Sequence, residues 1–235
     1  MAVTAPYDQI AAEYYDPSHR TSRNFDDTTV AAFRESKPEV PSEGLVLDVG
    51  AGRGRCGEFL GIPPNRIVQL DNSRRMLELQ PREESLLRIV HQAEELPFLD
   101  GQFACVASFL CDAFLGLNFL AEAFRVLASP GVLVGTTPSH EWGVALRNEI
   151  NIDTSETRFM TKAGARVLIP SLLVPADRLK QMLIASGFEQ RHTEVRKHRL
   201  PSGLPSISPD IIAPASTLRT GVHDLDILYS FIGFK

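Results

Sequence analysis

The sequence predicts an α/β fold with a mostly parallel sheet. Apolar runs typical of buried strands alternate with segments of helical periodicity, which is the pattern of parallel strands joined by crossover helices. The strand at 45–49 leads into a glycine-rich turn at 50–54, GAGRG, and the next apolar run ends at Asp71. Ligands bind beyond the carboxyl ends of strands in open α/β sheets, so the turn and Asp71 together predict a ligand site.

The predicted elements of the first part of the chain follow a regular order. Two helices come first, a proline-containing linker at 37–42 follows, and strands and one long helix complete the part. The helices lie at about 6–16, 24–36 and 115–128, and the strands lie near 45–49, 66–70, 86–91, 103–108 and 131–137. One face of the last helix is apolar and is expected to pack on the sheet, through Leu117, Leu120, Ala121, Phe124 and Leu127.

The C-terminal third combines regular elements with two irregular stretches. The stretch at 138–168 has weak periodicity and is too long for an idle connection in a compact domain, so it is interpreted as substrate-facing. An amphipathic helix at 175–188 ends at a glycine and leads into a strand at 189–196. Four prolines and several serines predict a loop at 201–214, and β-branched and aromatic residues predict a last strand at 225–234.

The spacing of the glycine turn distinguishes two kinds of cofactor. Dinucleotide sites use G-x-G-x-x-G with the pyrophosphate at a helix N-terminus, whereas this turn is G-x-G-x-G and is preceded by Asp48. A carboxylate at that position repels a pyrophosphate and suits a cationic ligand. The turn therefore favours a cationic cofactor over a dinucleotide such as NAD.

These residues resemble the cofactor motif of class I S-adenosylmethionine-dependent methyltransferases. The similarity extends in order from about residue 7 to 137 and is to the small-molecule (methyltransferase type 11-like) branch of that family. The other segments that carry it are YDQIA at 7–11, YYD at 14–16, QAEELPF at 92–98, DGQF at 100–103 and EAFRVLASPGVL at 122–133. The resemblance implies a Rossmann-like seven-stranded sheet, mostly parallel with an antiparallel last strand, helices on both faces and an N-terminal helical lid.

The resemblance also implies S-adenosylmethionine as the cofactor and S-adenosylhomocysteine as the product. Asp48 and the glycines stand where the family holds the methionine end, Asp71 where it holds the ribose hydroxyls, and Met76 where an apolar residue packs on the adenine. Gln92 stands where the family usually has Asp, and its amide oxygen can still accept from the adenine amine. The complete set expected at the cofactor is Tyr7, Tyr14, Asp48, Gly50, Ala51, Gly52, Gly54, Asp71, Asn72, Met76, Gln92, Ala93, Glu94 and Phe109.

A single domain of four parts is expected for the 235 residues. The resemblance implies that the N-terminal part forms the lid and that the next part binds the cofactor. The parts are lid helices at 1–42, a cofactor-binding core at 43–137, a substrate-facing insertion at 138–168, and a C-terminal helix with strands at 169–235.

Composition and charge limit the partners and the location. A formal charge of −5 gives no general attraction to phosphate backbones, which argues against nucleic acid. No run approaches the roughly 18 apolar residues of a membrane span, and the N-terminal segment lacks the basic start of a signal peptide. The three cysteines form neither a disulfide framework nor a zinc motif, so no metal and a cytoplasmic location are expected. The oligomeric state stays open.

Candidate catalytic residues follow from the chemistry of a sulfonium. The carbon is already activated, so alignment supplies much of the rate, and a general base is needed only where the acceptor must lose a proton early. His140, just past the fifth strand, is the first candidate for a base. The lid supplies the others: Tyr14, Tyr15 and His19. Three insertion residues are expected to face the acceptor: Glu141, Trp142 and Arg147.

The expected function is methyl transfer to a small-molecule acceptor by in-line displacement. Two alternatives stay open. The first is methyl transfer to RNA or protein, for which a basic cluster at 191–199 is the one hint. The second is a regulator that binds S-adenosylmethionine without catalysis.

Overall fold

The computed structural model describes residues 5–14, 16, 18–81, 85, 87–151 and 155–235, which form nine strands and eight α-helices. The strands are β1 (Val46–Val49), β2 (Ile67–Asp71), β3 (Leu87–Val90), β4 (Phe103–Phe109), β5 (Leu127–Pro138), β6 (Glu156–Met160), β7 (Arg166–Pro170), β8 (Glu194–Arg199) and β9 (Asp226–Phe234). The helices are α1 (Ala11–Tyr14), α2 (Arg20–Glu35), α3 (Cys56–Leu60), α4 (Arg74–Glu78), α5 (Leu117–Val126), α6 (His140–Ile150), α7 (Ala176–Ala185) and α8 (Pro209–Thr217).

Seven of these strands form one sheet in the order β3-β2-β1-β4-β5-β9-β8. Strands β1 to β5 pair in parallel, and β9 runs antiparallel to both β5 and β8. Helices α5 and α7 cover one face, while α2 and α3 cover the other. The predicted Rossmann-like sheet with an antiparallel last strand is confirmed, and only β5 begins clearly earlier than expected, at Leu127.

The central strands are buried on both faces, as their continuous apolar runs require. Leu47 and Val49 point to the α5 and α7 side, and Val46 points to the α2 and α3 side. Asp48 and Gln69 are the polar exceptions on β1 and β2; they are register partners, and both are fully buried. A buried polar pair in the middle of a sheet is costly, so this pair calls for a functional reason.

The two predicted N-terminal helices are present, but the first is divided and the second begins earlier than predicted. The first consists of a 3-10 turn over Pro6–Gln9 followed by α1. The second begins at Arg20, four residues earlier than predicted, because the His19 side chain caps it by accepting from the Ser22 backbone N–H.

The stretch at 138–168 is more regular than its weak periodicity predicts. It contains α6, which Ser139 caps through a bond from the Trp142 N–H to its Oγ (3.1 Å), and the two-stranded hairpin β6-β7. Helix α6 buries residues around much of its circumference, so it lacks a single apolar stripe. The hairpin is largely exposed, so its alternation is weak as well.

Two further predictions in the C-terminal third are wrong. The strand predicted at 189–196 begins only at Glu194, because the Thr193 N–H and hydroxyl both bond the Glu189 carbonyl and close a turn there. The loop predicted at 201–214 contains the start of α8, with Pro209 in its first turn and Pro214 inside it. A proline within a helix leaves the carbonyl four residues earlier without its usual donor. The Trp142 indole N–H supplies that donor to Asp210 O (2.8 Å).

The helices also bear on whether the chain could cross a membrane. None of those in the described ranges combines the length and the apolar character needed to cross a bilayer.

Candidate functional site

A cavity of about 1060 Å³, its open mouth included, lies at the carboxyl ends of β1, β2 and β4. Thirteen of the fourteen residues predicted for the cofactor line it, and Gly54 does not. Pro6, Asp26, Thr29, Arg53, Arg55, Phe59, Leu70, His91, Leu110, Ala113, Phe114 and Pro170 also line it. The cavity therefore lies where the strand ends predicted a ligand.

The glycine turn is tied to β2 and closely packed. The Gly50 N–H donates to Leu70 O (2.8 Å), and Gly50 has a φ of 67°, which favours glycine. A Cβ at Gly50 would meet the Phe114 ring at 2.7 Å. Gly54, by contrast, packs against the Gln80 amide, whose oxygen would lie 2.5 Å from a Cβ added at Gly54. Gly54 thus shapes the turn from behind, and this placement does not support the predicted contact between Gly54 and the cofactor.

Asp71 connects the end of β2 to the glycine turn. Its Oδ2 accepts from the Gly52 N–H (2.9 Å), and its Oδ1 accepts from the Ser73 N–H (2.8 Å). Burial raises the pKa of Asp71, while the two backbone bonds oppose that shift. Each carboxylate oxygen keeps a further acceptor position. Asp71 can thus hold two ligand hydroxyls while it fixes the turn.

Asp48 is a buried acid whose carboxyl group is not fully hydrogen-bonded. Its Oδ2 has no hydrogen-bond partner among the described residues, and neither has the side-chain amide of Gln69. Burial, together with the nearby Asp71 charge, raises the pKa of Asp48 to about 8. A cation bound in the cavity would favour the ionised form, so the site suits a positively charged ligand.

Replacing Asp48 with Asn should stabilise the ligand-free protein. The folded-state pKa is above the unfolded value of roughly 4, so folded Asp48 keeps its proton while unfolded Asp48 loses it, and stability falls as pH rises from about 4 to about 8. Asp48→Asn removes this loss. We expect a gain of about 1–3 kcal/mol near pH 8 and much less near pH 5, measured by thermal unfolding. An equal gain at both pH values would contradict the titration of Asp48.

Arg53 is a cavity residue that sequence reasoning missed. Its guanidinium pairs with Asp26 of α2 (2.7 Å), donates to the Tyr14 carbonyl, and lies 5.0 Å from the centre of the Tyr14 ring. The glycine turn is thereby attached to the N-terminal segment. Because Asp26 and Tyr14 are distant in sequence, nothing in the turn itself indicates this role.

A second cavity, of about 650 Å³, adjoins the first. The two share Tyr7, Tyr14 and Leu110. The rest of its lining comes from α2, α6, α8, the end of β5, the hairpin and neighbouring turns: His19, Thr21, Ser22, Phe25, Asp112, Pro138, Trp142, Leu146, Thr157, Arg158, Phe159, Ile169, Ser171 and Asp210. The two cavities are therefore in contact across a short boundary.

Besides Tyr7 and Tyr14, two sequence-predicted residues line this second cavity. Trp142 is buried with its ring 4.9 Å from that of Phe25. His19 stacks on Phe159 at 4.2 Å, and its Nδ1 lies 2.7 Å from Ser22 Oγ. Tyr15, a further candidate, lies outside the described residues.

Three other predicted residues line neither cavity. Glu141 accepts from Lys197 Nζ (2.6 Å) and from the Tyr229 hydroxyl, which places it against β8 and β9. His140 precedes it at the start of α6. Arg147 is buried and donates to Ser171 O (2.6 Å). The Ser139 cap sets the direction of α6 so that Trp142 faces the second cavity instead. This placement does not support the predicted roles of His140 as a base and of Glu141 and Arg147 at the acceptor.

Asp112 is the other site residue that sequence reasoning missed. It lies in a 3-10 turn directly after β4, is 6% exposed and lines the second cavity. Burial raises the pKa of Asp112 to about 6, against a hydrogen bond from Ser171 that lowers it. An acid just after a central strand was the available signal.

Metal ligands are not brought together: no cluster of three His, Cys, Asp or Glu side chains suited to a metal occurs in the described part.

The fold and the first cavity define a Rossmann-like protein with a site for a cationic cofactor. Residues 47–135 match the family model described as a methyltransferase domain, so this part of the chain is an S-adenosylmethionine-dependent methyltransferase domain. S-adenosylmethionine is its cofactor.

Solved structures share the fold. One from Thermotoga maritima, described as a possible histamine N-methyltransferase, is 18% identical, with 98% of each chain covered and a TM-score of 0.63. The complex between the Haloferax volcanii Trm112 methyltransferase activator and its methyltransferase partner gives 15% identity, 99% coverage of each chain and a TM-score of 0.69. A Listeria monocytogenes methyltransferase gives 14% identity, 90% and 98% coverage, and a TM-score of 0.65. The comparison with curated proteins found no match.

Proposed function

We propose that the chain transfers the methyl group to a small molecule bound in the second cavity. The observation that carries the proposal is the contact between the two cavities at Tyr7, Tyr14 and Leu110. A ligand in each cavity would have its reactive end at this boundary, which is the arrangement that in-line displacement needs. The cavity, about 650 Å³ with its open mouth included, is a concave site of the kind that takes a small molecule.

The first cavity fits S-adenosylmethionine through its own residues. The unpartnered carboxylate oxygen of Asp48 suits a cation, and the free acceptor positions of Asp71 suit the ribose hydroxyls. When bound, the cofactor supplies a methyl group activated by its sulfonium. The buried Met76 side chain offers an apolar face to the adenine.

The N-terminal segment covers the boundary between the two cavities. Asp8 accepts from Ser73 Oγ (2.6 Å), and Arg53 donates to the Tyr14 carbonyl. These bonds hold Tyr7 and Tyr14 over the boundary, where their rings exclude water from the reacting atoms. The division of the chain into lid, core, insertion and C-terminal part belongs to this proposal, with the insertion forming one wall of the acceptor cavity.

A macromolecular acceptor has less support. The basic cluster at 191–199 lines neither cavity. Three of its charges are also paired: Arg196 with Glu194, Lys197 with Glu141, and Arg199 with Asp226.

Filling the second cavity tests the proposal. Thr157 lines that cavity from β6, and a tryptophan is compatible with a strand, so Thr157→Trp should block the acceptor without touching the first cavity. We expect methyl transfer to fall at least tenfold and the Kd for S-adenosylhomocysteine to stay within about twofold. Met160→Trp on the same strand, at an exposed position that lines neither cavity, is the matched control.

The readout is the transfer of labelled methyl groups to cell extract separated by size. Label in the fraction below about 1 kDa, lost in Thr157→Trp and kept in Met160→Trp, supports the proposal. Label in RNA or protein, or full small-molecule activity in Thr157→Trp, would reject it.

A further inference from the structure

Asp112 carries a charge in the second cavity that forms no direct ion pair with a cation among the described residues. A hydrogen bond from Ser171 and the charge of Arg147 both act to lower the pKa of Asp112, and burial outweighs them. With its pKa raised to about 6, the acid is mostly ionised at neutral pH. A buried carboxylate without a counter-ion is costly unless a ligand compensates it.

The other charged groups of the cavity balance one another. Arg158 pairs with Asp210 at 2.6 Å, and the Thr21 hydroxyl donates to the same carboxylate. Burial lowers the pKa of His19, which keeps this imidazole neutral at pH 7. Asp112 is thus the unbalanced charge that the described lining presents to a ligand.

The proton on His19 is fixed by its neighbour. Its Nδ1 accepts from the Ser22 backbone N–H (3.3 Å), so in the neutral ring the proton resides on Nε2. With its proton on Nε2, the ring has no second acceptor nitrogen to offer a ligand. A carboxylate is therefore a better candidate for the general base than His19.

Aromatic rings form much of the wall of the cavity that Asp112 lines. They belong to Tyr7, Tyr14, Phe25, Trp142 and Phe159. The faces of aromatic rings attract cations, and this attraction adds to that of a carboxylate. The combination favours a ligand with a cationic head and an apolar body.

We propose that the methyl acceptor is a primary or secondary amine with an apolar or aromatic body, and that Asp112 binds its nitrogen. This inference rests on the proposed function, since it names the substrate class of the second cavity. An anionic acceptor is disfavoured by the same charge, and a neutral alcohol leaves that charge uncompensated.

Asp112 also provides a place for the proton. The amine enters as an ammonium ion and gives one proton to the Asp112 carboxylate. The freed lone pair forms the new C–N bond, the C–S bond breaks with its electron pair going to sulfur, and the product is a methylated ammonium ion beside neutral S-adenosylhomocysteine. Asp112 then returns its proton to solvent when the product leaves, so charge and atoms balance.

Binding to the complex with S-adenosylhomocysteine tests the inference without turnover. The probes are phenethylamine, 2-phenylethanol and phenylacetate, which share a body and differ in head group. We expect calorimetry to show tightest binding for phenethylamine and at least a tenfold loss in Asp112→Asn, which removes the charge and keeps an acceptor for Ser171. Asp177→Asn, on α7 and outside the lining of both cavities, is the control and should bind the amine as the wild type does.

Three results would overturn the assignment: no binding of phenethylamine to the wild type, equal binding of the amine and the alcohol, or unchanged amine binding in Asp112→Asn. The Thr157→Trp variant separates this failure from that of the proposed function. If small-molecule methylation is lost in Thr157→Trp but the amine preference is absent, the cavity is the acceptor site and the substrate class is wrong. If methylation survives in Thr157→Trp, both proposals fail.

Discussion

Asp71→Ala is expected to weaken the binding of S-adenosylhomocysteine by about tenfold to a hundredfold. The substitution removes a charge-assisted acceptor of the proposed ribose contacts, and this loss as a whole costs roughly 1.5–3 kcal/mol. The structure adds a second reason: the same carboxylate accepts from the Gly52 and Ser73 N–H groups, so its loss also loosens the glycine turn.

Calorimetry on folded protein measures this effect. Asp177→Ala, an acid on α7 that lines neither cavity, is the matched control and should bind normally. Unchanged affinity in a folded Asp71→Ala protein would show that the ribose is held by another group.

Among substitutions at the site that add one methyl group, Gly50→Ala is expected to lower the free energy of unfolding most. A φ of 67° costs an L-residue roughly 1–2 kcal/mol, and a methyl group 2.7 Å from the Phe114 ring adds about 1–3 kcal/mol of overpacking. Phe114 packs edge-to-face on the buried Phe119 at 5.0 Å and lines the first cavity, so the ring can yield only into the cofactor site. For a chain of this size we expect the Tm to fall by roughly 5–15 °C, with weaker cofactor binding.

The control variant Gly164→Ala separates the backbone cost of a positive φ from the cost of overpacking. Gly164 has a similar φ of 78°, and a Cβ there meets nothing within 4 Å. Only the backbone cost remains, so its Tm should fall by roughly 2–6 °C, with cofactor affinity unchanged. Equal losses in both variants would mean that Phe114 yields easily and that the packing argument at Gly50 is wrong.

Local signals were sufficient for the first part of the chain. The glycine turn, the acid ending β2 and the uninterrupted apolar strands are consecutive in sequence, so their geometry follows from backbone chemistry and burial. Helix α8 shows where local signals fail. Its Pro214 predicts a loop, and only the indole N–H of Trp142, far away in sequence, satisfies the carbonyl that the proline leaves without a donor.

The sequence by itself determined the α/β class, the succession of elements in the cofactor half and the position of the first cavity, because each depends on residues close together in the chain. Only the tertiary structure decided the acceptor side. His140, Trp142 and Asp112 all follow strands of the sheet and look alike as candidates in sequence. The cap at Ser139 turns Trp142 inward, and the turn after β4 brings Asp112 into the same second cavity, because packing between distant segments sets which side chains share a cavity.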